Sequence, residues 1–290
     1  MKRKYTLFLL LLSLLSCQRD FDPILDSTIC TAYFDLDAGD CFRYVISYKD
    51  TFTAGIPDTL LPNYHLRISG FCYDSDYNLI SKKVCVYDSI GIIPFTMEYL
   101  DSMQVYNFCF VADFVRNDSL LNYFGAWYYS HENSFETLFA HFTSADSLSQ
   151  YNSLLYTTCS LRPNVPISLT LQPITCGGYV QLFNYSKFKK VSFTLSKHKS
   201  FSLLDPSQKN VYYWGTTENF YPTPAMHLIS IPITICAADA RIGIKVKTCY
   251  VTESDGDSIE FYVNFTHRSP FLITMDCENL KQQPFIQYLQ

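Results

Sequence analysis

The sequence predicts an all-β protein, two sandwiches in series behind an export segment. Three observations carry that expectation. Tyr and Phe occur 23 times each in 290 residues, and aromatic residues favour strands over helix interiors. Apolar and polar residues alternate in short runs, and no long stretch repeats its apolar residues every 3.6 positions. The runs are separated by clusters of Asp, Asn, Gly and Pro, which suit turns. Hydrophobic residues make up 48% of the chain, enough for a real core and too many for a disordered chain.

The elements follow in order. Lys2-Arg3-Lys4 precede an apolar run from Tyr5 to Leu15. A basic cluster before a short apolar run is a secretory signal, and the run is shorter than the ~20 residues a membrane span needs. Leu14-Leu15-Ser16-Cys17 resembles a bacterial lipobox, with a small residue before a cysteine whose thiol takes a diacylglycerol. Residues 1–16 are then a lipoprotein signal peptide, with Cys17 the acylated N-terminus. This predicts a palmitate-type lipid anchor in the outer membrane with the body at the cell surface. Each acyl chain contributes roughly 0.8 kcal/mol per buried CH₂, so several chains hold durably. The competing reading is an ordinary secreted protein with an incidental cysteine. Polar residues with scattered Asp and one Pro make 17–39 a tether.

The first sandwich is expected over 40–162. It starts with a strand at 41–48, a loop at 49–63 and a hairpin at 66–87 turning on Asp74-Ser75-Asp76-Tyr77-Asn78. Its central strand is the nearly apolar run from Met103 to Ala112. Residues 113–165 are less regular, with short helices or turns at 135–140 and 144–151. Pro163 and Pro166 bracket a linker, and the second sandwich takes 163–290. Its strands are expected at 167–171, 178–183, 190–195, 228–235, 242–252 and 259–266. Asp255-Gly256 between the last two is the strongest short hairpin signal in the chain.

Eleven cysteines are present. Setting Cys17 aside leaves ten that an exported chain can oxidise. Cys72, Cys85 and Cys109 sit in strand runs and read as small hydrophobes. Cys30 and Cys41 flank the 31–40 segment and make the best pair for a bridge. No CxxC occurs, which disfavours zinc knuckles and thioredoxin chemistry.

The order of pieces resembles a known family. The stretch Phe71-Cys72-Tyr73-Asp74-Ser75-Asp76-Tyr77-Asn78-Leu79-Ile80 is similar to the apolar-strand, acidic-turn signature of Bacteroidetes fimbrillins. Val105-Tyr106-Asn107-Phe108-Cys109-Phe110-Val111-Ala112-Asp113 resembles their Tyr-containing central strand. Ser153-Leu154-Leu155-Tyr156 and 167–171 resemble the crossing into their second domain. Asn78 stands where Gly is usual in that signature, and Asp101-Ser102 where another Gly is expected. The resemblance covers most of 40–185. It implies a fimbrillin-like lipoprotein, an anchor or accessory subunit with two transthyretin-like β-sandwich domains and a cell-surface role in fimbriae.

The remaining candidates for chemistry are sparse. A net charge of −5 gives no basic footprint for nucleic acid. His65, His131, His141, His198, His227 and His267 are dispersed outside any HExxH, and no GxSxG elbow exists. No enzyme activity, cofactor or metal is expected. Asp35 to Asp40 and Asp74 to Asn78 echo the opening of a calcium loop but lack its Gly and Glu, so turn chemistry explains both. Six Asp residues precede Ser or Thr and then an aliphatic residue, at Thr59, Ser89, Ser102, Ser119, Ser147 and Ser258. Average usage predicts on the order of one. The pattern resembles the O-glycosylation signal of exported Bacteroidetes proteins, while Asp-Ser pairs also simply suit turns.

Two functions remain open. Unpaired sheet edges would accept a strand from a fimbrial subunit, the reading the resemblance favours. Alternatively, Trp127 in Trp127-Tyr128-Tyr129 and Trp214 in Tyr212-Tyr213-Trp214, where exposed, stack on sugar rings, as in a glycan-binding lipoprotein of a nutrient-uptake system; packing in the core or between the domains is the reading that competes for both clusters. Neighbouring strand residues point to opposite faces, so neither triplet is expected to be wholly buried.

Overall fold

A computed structural model describes residues 28–39, 44–48, 51–55, 60, 62–117, 123–142, 153–198, 200–204, 212–214, 217–223, 228–236, 241–250, 252, 255–264 and 269–289. The signal segment 1–16, Cys17, most of the tether, Cys41 and the 144–151 stretch lie outside them.

The first part contains β1 (Ile29–Asp37), β2 (Tyr44–Tyr48), β3 (Thr51–Gly55), β4 (Tyr64–Tyr73), β5 (Leu79–Tyr87), β6 (Ile92–Asp101) and β7 (Tyr106–Asn117). It continues with β8 (Tyr123–Gly125), β9 (Trp127–Ser130), β10 (Phe139–Phe142), β11 (Leu154–Leu161), β12 (Ile167–Thr170) and β13 (Gln172–Pro173). The second part contains β14 (Thr175–Phe183), β15 (Phe188–His198), β16 (Ser200–Ser202), β17 (Tyr212–Trp214) and β18 (Glu218–Phe220). It ends with β19 (Ile229–Cys236), β20 (Arg241–Tyr250), β21 (Asp255–Asn264), β22 (Phe271–Asp276) and β23 (Phe285–Tyr288). The only helical pieces among the described residues are short 3₁₀ turns such as Phe135–Thr137. The fold class is all-β, as the aromatic content and the missing helical period predict.

The first unit is built around the sheet β13-β11-β7-β4-β5, with β8 attached to β7. One face packs on the sheet β12-β1-β6. Phe108, Phe110, Ala112 and Phe114 of β7 share a core there with Phe34 and Leu36 of β1 and Phe95 of β6. Phe34 lies 4.9 Å from Phe108 and 4.6 Å from Phe110, ring centre to ring centre. Gly70 makes this packing possible, because a Cβ at that position would come within 2.7 Å of the Phe95 ring. The other face of the central sheet is covered too, by the small sheet β16-β10-β9. Cys109 and Val111 of β7 and Phe71 and Tyr73 of β4 pack there against Trp127, Phe142 and Phe201. A strand buried on both faces reads as a continuous apolar run, which is why β7 is recognisable as central from its sequence.

The second unit is a two-layer sandwich. The sheet β19-β14-β22-β23 and the sheet β17-β15-β20-β21 meet in one core. Val180, Ile231 and Ile273 come from the first, and Val191, Phe193, Ile244 and Val246 from the second.

Several expectations are corrected. Residues 29–37 are not tether or loop but β1, the middle strand of its sheet, with Ala32, Phe34 and Leu36 buried. The physical signal is strict alternation, in which Asp35 and Asp37 point away from the core while Phe34 and Leu36 point in. Residues 51–55 are β3, paired with β2 as a hairpin inside the expected 49–63 loop. β6 has no counterpart among the expected strands. The boundary at 163 falls too early. β12 pairs in parallel with β1 and β13 pairs with β11, so the first unit keeps the chain through Ile174, which is buried with its second core. The turn between β20 and β21 precedes Asp255, so Asp255-Gly256 opens β21 and is not the hairpin turn. Gly256 is required by proximity: a Cβ there would sit 2.4 Å from Thr248 Oγ1. Cys30 carries a free thiol that donates to the Pro163 carbonyl at 3.1 Å, and Cys41, its expected partner in a bridge, lies outside the described residues.

Candidate functional site

Sheet edges carry the backbone groups that another chain can pair with, and most edges here are blunted. On one side of the first unit, β5 and β6 are linked by side chains. Lys83 Nζ donates to Thr96 Oγ1 at 2.7 Å and pairs with Glu98 at 3.7 Å. Tyr87 Oη donates to the Pro94 carbonyl at 3.2 Å, and Pro94 itself has no N–H to offer. β12, β13 and β23 are four residues or shorter. β19 carries Pro232 in its middle.

β21 differs. It runs for ten residues without a proline and pairs only with β20 among the described strands. Val263 is buried in the core, whereas Ser258, Glu260 and Tyr262 are exposed on the opposite face. That alternation fixes which face meets the core and so fixes the register. The outer face is held in place by polar contacts. Lys245 of β20 pairs with Glu260 at 3.0 Å, and Tyr262 Oη donates to Glu260 Oε1 at 3.1 Å. These hydrogen bonds, Lys245 first, hold the Glu260 carboxyl below the usual carboxylate range. The result is a long, acidic edge with one exposed aromatic, Tyr262, whose outward N–H and C=O groups form a template for an added strand.

The first unit holds its polar groups inside. Arg67 on β4 and Asp113 on β7 stand in register. Arg67 Nε donates to Asp113 Oδ1 at 2.9 Å and Nη2 to Oδ2 at 2.5 Å, and Nη2 also donates to the Trp127 carbonyl at 2.9 Å. The Asp113 side chain is 0% exposed. Burial pushes its carboxyl up and Arg67 pulls it back. Burial pulls the Arg67 guanidinium down most, but the charge and hydrogen bonds of Asp113, with those of Tyr129, together more than offset it and hold the guanidinium protonated. Gly125 lies close beside the pair, where a Cβ would come within 3.3 Å of both Arg67 Nη2 and Asp113 Oδ2.

Trp127 is 2% exposed, wedged 4.9 Å from the Phe142 ring and 5.9 Å from Phe201. It is core, so it offers no sugar platform. Tyr128 points the other way and is exposed, stacked 4.5 Å over His141. Trp214 lies in β17, and its side chain is outside the described residues. Ser89 and Ser258 are exposed, Ser258 within β21 and not at a turn, and Ser102 is half-buried. Thr59, Ser119 and Ser147 lie outside the described residues, as do His227 and His267. Asp74 accepts the N–H groups of Asp76 and Asn78, each at 2.9 Å. Hydrogen bonds from Asn78 foremost lower its carboxyl below the usual range. That is turn chemistry, and Asp35 and Asp37 lie on a strand. No three His, Cys, Asp or Glu side chains among the described residues cluster to hold a metal. His65 pairs with Asp88 at 2.6 Å, far from the His141 stack in sequence. Burial pushes the Cys72 thiol up to about 12 and Cys159 up to about 11. Thiols this far above their usual value are poor nucleophiles. The β21 edge escaped the sequence reading. Its signal was there: a long alternating run without proline, close to the C-terminal end.

No family model matches the chain, and no curated protein does. Solved structures give distant likenesses. The fimbrial anchor protein Mfa2 from Porphyromonas gingivalis is 10% identical over 89% of this chain and 98% of its own, with a TM-score of 0.49. A fimbrial assembly protein from Parabacteroides distasonis is 12% identical over 89% of this chain and 99% of its own, at 0.42. A proposed polysaccharide binding protein from Bacteroides thetaiotaomicron is 9% identical over 84% and 90%, at 0.48. The first is the kind of protein the sequence resembles. At such identities, with TM-scores below 0.5, the likeness says nothing of what this chain binds.

Proposed function

We propose that this chain is a non-enzymatic lipoprotein, held in the outer membrane through acylated Cys17, that joins a fimbrial assembly as an anchor or accessory subunit by accepting a partner strand along β21. The observation that carries the reading is the contrast among edges: β21 is long and free of proline, while the other edges among the described strands are short, proline-bearing or linked by side chains. Added strands gain main-chain hydrogen bonds for affinity, and alternate side-chain contacts give specificity. Glu260 and Tyr262 would supply those contacts, favouring a partner strand with a basic residue opposite Glu260. O-glycans on Ser89 and Ser258 fit their exposure, and a glycan on Ser258 would compete with a strand at the same edge. The test is isolation of fimbriae from the native cell. The chain is expected among their components and absent from fimbriae of cells carrying a proline within β21. Fimbriae that never contain the chain contradict the proposal.

Glycan binding in a nutrient-uptake system is the second reading, and one observation favours it. Tyr128 presents an exposed ring backed by His141. Oligosaccharide binding lost on Tyr128→Ala, with Trp127→Ala acting only through stability, would move the function to that face.

A further inference from the structure

One end of the first unit gathers exposed apolar side chains around the acidic β4–β5 turn, which is held there by Asn107 Nδ2 donating to the Asp74 carbonyl at 2.9 Å. Six stretches of chain meet at this end, and their pairings fix the place. Ile29 opens β1 opposite Asp101, which closes β6. The Ser102 N–H donates to the Thr28 carbonyl at 2.6 Å, and the Asp101 N–H donates to Tyr106 Oη at 3.0 Å. Tyr106 opens β7 opposite Leu161, which closes β11. The Cys30 thiol then ties the 162–166 segment to the same end through the Pro163 carbonyl. Large apolar side chains stand out from this end into solvent: Tyr99 is 83% exposed, Met103 64%, Val165 61% and Ile29 56%. At the opposite end, where β1, β4, β5 and β7 exchange their other termini, Ile92 is the exposed large apolar side chain among the described residues.

The exposure of Tyr99 is built in. β1 and β6 lose register between Cys30 and Ala32, a bulge that re-aims a side chain. Tyr99 sits in it with φ +61°, a left-handed conformation that bulky residues rarely adopt. Met103 is presented in the same deliberate way, on a turn in which the Asp101 carboxylate accepts the Met103 N–H at 2.9 Å. Clustered exposed apolar groups mark interaction surfaces.

The geometry points to a lipid bilayer as the occupant of this end. Ten residues lie between Cys17 and Thr28, so the acylated cysteine is at most about 40 Å of chain from it. The chain enters the folded body at the apolar end, and β13, paired near the start of β11, delivers it to the second unit from the other. A tether of that length brings the entry end to the headgroups first. Tyr suits that depth, with an apolar ring and a polar tip, and Met103, Val105 and Val165 would reach the acyl boundary. Arg162 is exposed beside them and suits lipid phosphates. The apolar end thus acts as a second membrane contact that fixes the body upright, with β21 carried on the unit farther along the chain. This rests on the lipid-anchor reading above.

The test uses the acylated full chain in vesicles of phosphatidylethanolamine and phosphatidylcholine. It is compared with the variant carrying Tyr99→Ser, Met103→Ser and Val165→Ser in the same vesicles. Amide hydrogens over 99–105 and 162–166 are expected to exchange about tenfold more slowly in the native chain, while β7 exchanges alike in both, showing an intact fold. Equal rates at the apolar end, with acyl groups found on Cys17 by mass spectrometry, overturn this inference and leave the anchor standing. A Cys17 without acyl groups overturns both. Protection seen in native membranes but not in pure lipid vesicles assigns the end to a protein partner and overturns the bilayer as occupant.

Discussion

β7 and β21 are both long strands, and they are opposites. β7 is buried on both faces and paired on both sides, with β4 and β11 as neighbours. β21 has one face in the core, one in solvent, and one side unpaired among the described strands. The first unit spends its length on closure. It has three layers, a buried ion pair, a proline in β6 and a lysine bridging β5 to β6. The second unit is a plain sandwich that keeps its longest edge available. The difference teaches that rigidity and recruitment are divided between the two units, so damage to each should read out differently.

The sharpest way to break the comparison is to open the first unit. Asp113→Ala strands Arg67 in the covered face, and removing one partner of a buried pair costs about 3–5 kcal/mol. Denaturant unfolding of the purified protein would measure it. Trp127→Ala empties the centre of the covering layer and costs about 3–5 kcal/mol, with any loss of binding tracking the loss of fold. Gly70→Ala drives a methyl against the Phe95 ring and should cost about 1–3 kcal/mol by overpacking, read as a lowered Tm. Substitutions on the outer face of β21 should do the reverse. Glu260→Ala removes an ion pair on the solvent face, and such pairs add little to stability, so stability barely moves while association with fimbriae weakens.

The smallest effect is a pH response at the β4–β5 turn. The Asp74 carboxyl is lowered in the folded chain. Its contribution is therefore present above the ordinary carboxylate value of about 4 and is lost as pH falls through the lower folded value. The Asp76 and Asn78 amides should become less protected below that point, and Asp74→Asn should show the loosened turn already at neutral pH.

Much of the fold was legible where one rule dominated. The β4–β5 hairpin follows from Asp74 to Asn78, and β7 from its apolar run. β1 was hidden because Asp35, Asp37 and the neighbouring Asp40 look like loop residues when alternation is not counted. β6 was hidden by Pro94, which an edge strand tolerates. The Trp127 environment could not be read locally at all. Its cover comes from Phe201 on β16, more than seventy residues on, and only the pairing of β16 with β10 brings it there. The alternation of Trp127, Tyr128 and Tyr129 was predictable, but which face met the core was not. The β21 edge was masked by the Asp255-Gly256 signal, since a glycine demanded by contact with Thr248 looks the same in sequence as one demanded by a turn.

Amide hydrogen exchange in β21, compared between the isolated lipoprotein and the same chain in fimbriae from the native cell, tests the central claim most directly. The account predicts that alternate amides from Asp257 to Val263, those turned away from β20, exchange freely in isolation and become protected in the assembly, while β7 is unchanged. Alternate β21 amides that exchange equally fast in both states, with protection arising on another edge, would contradict it.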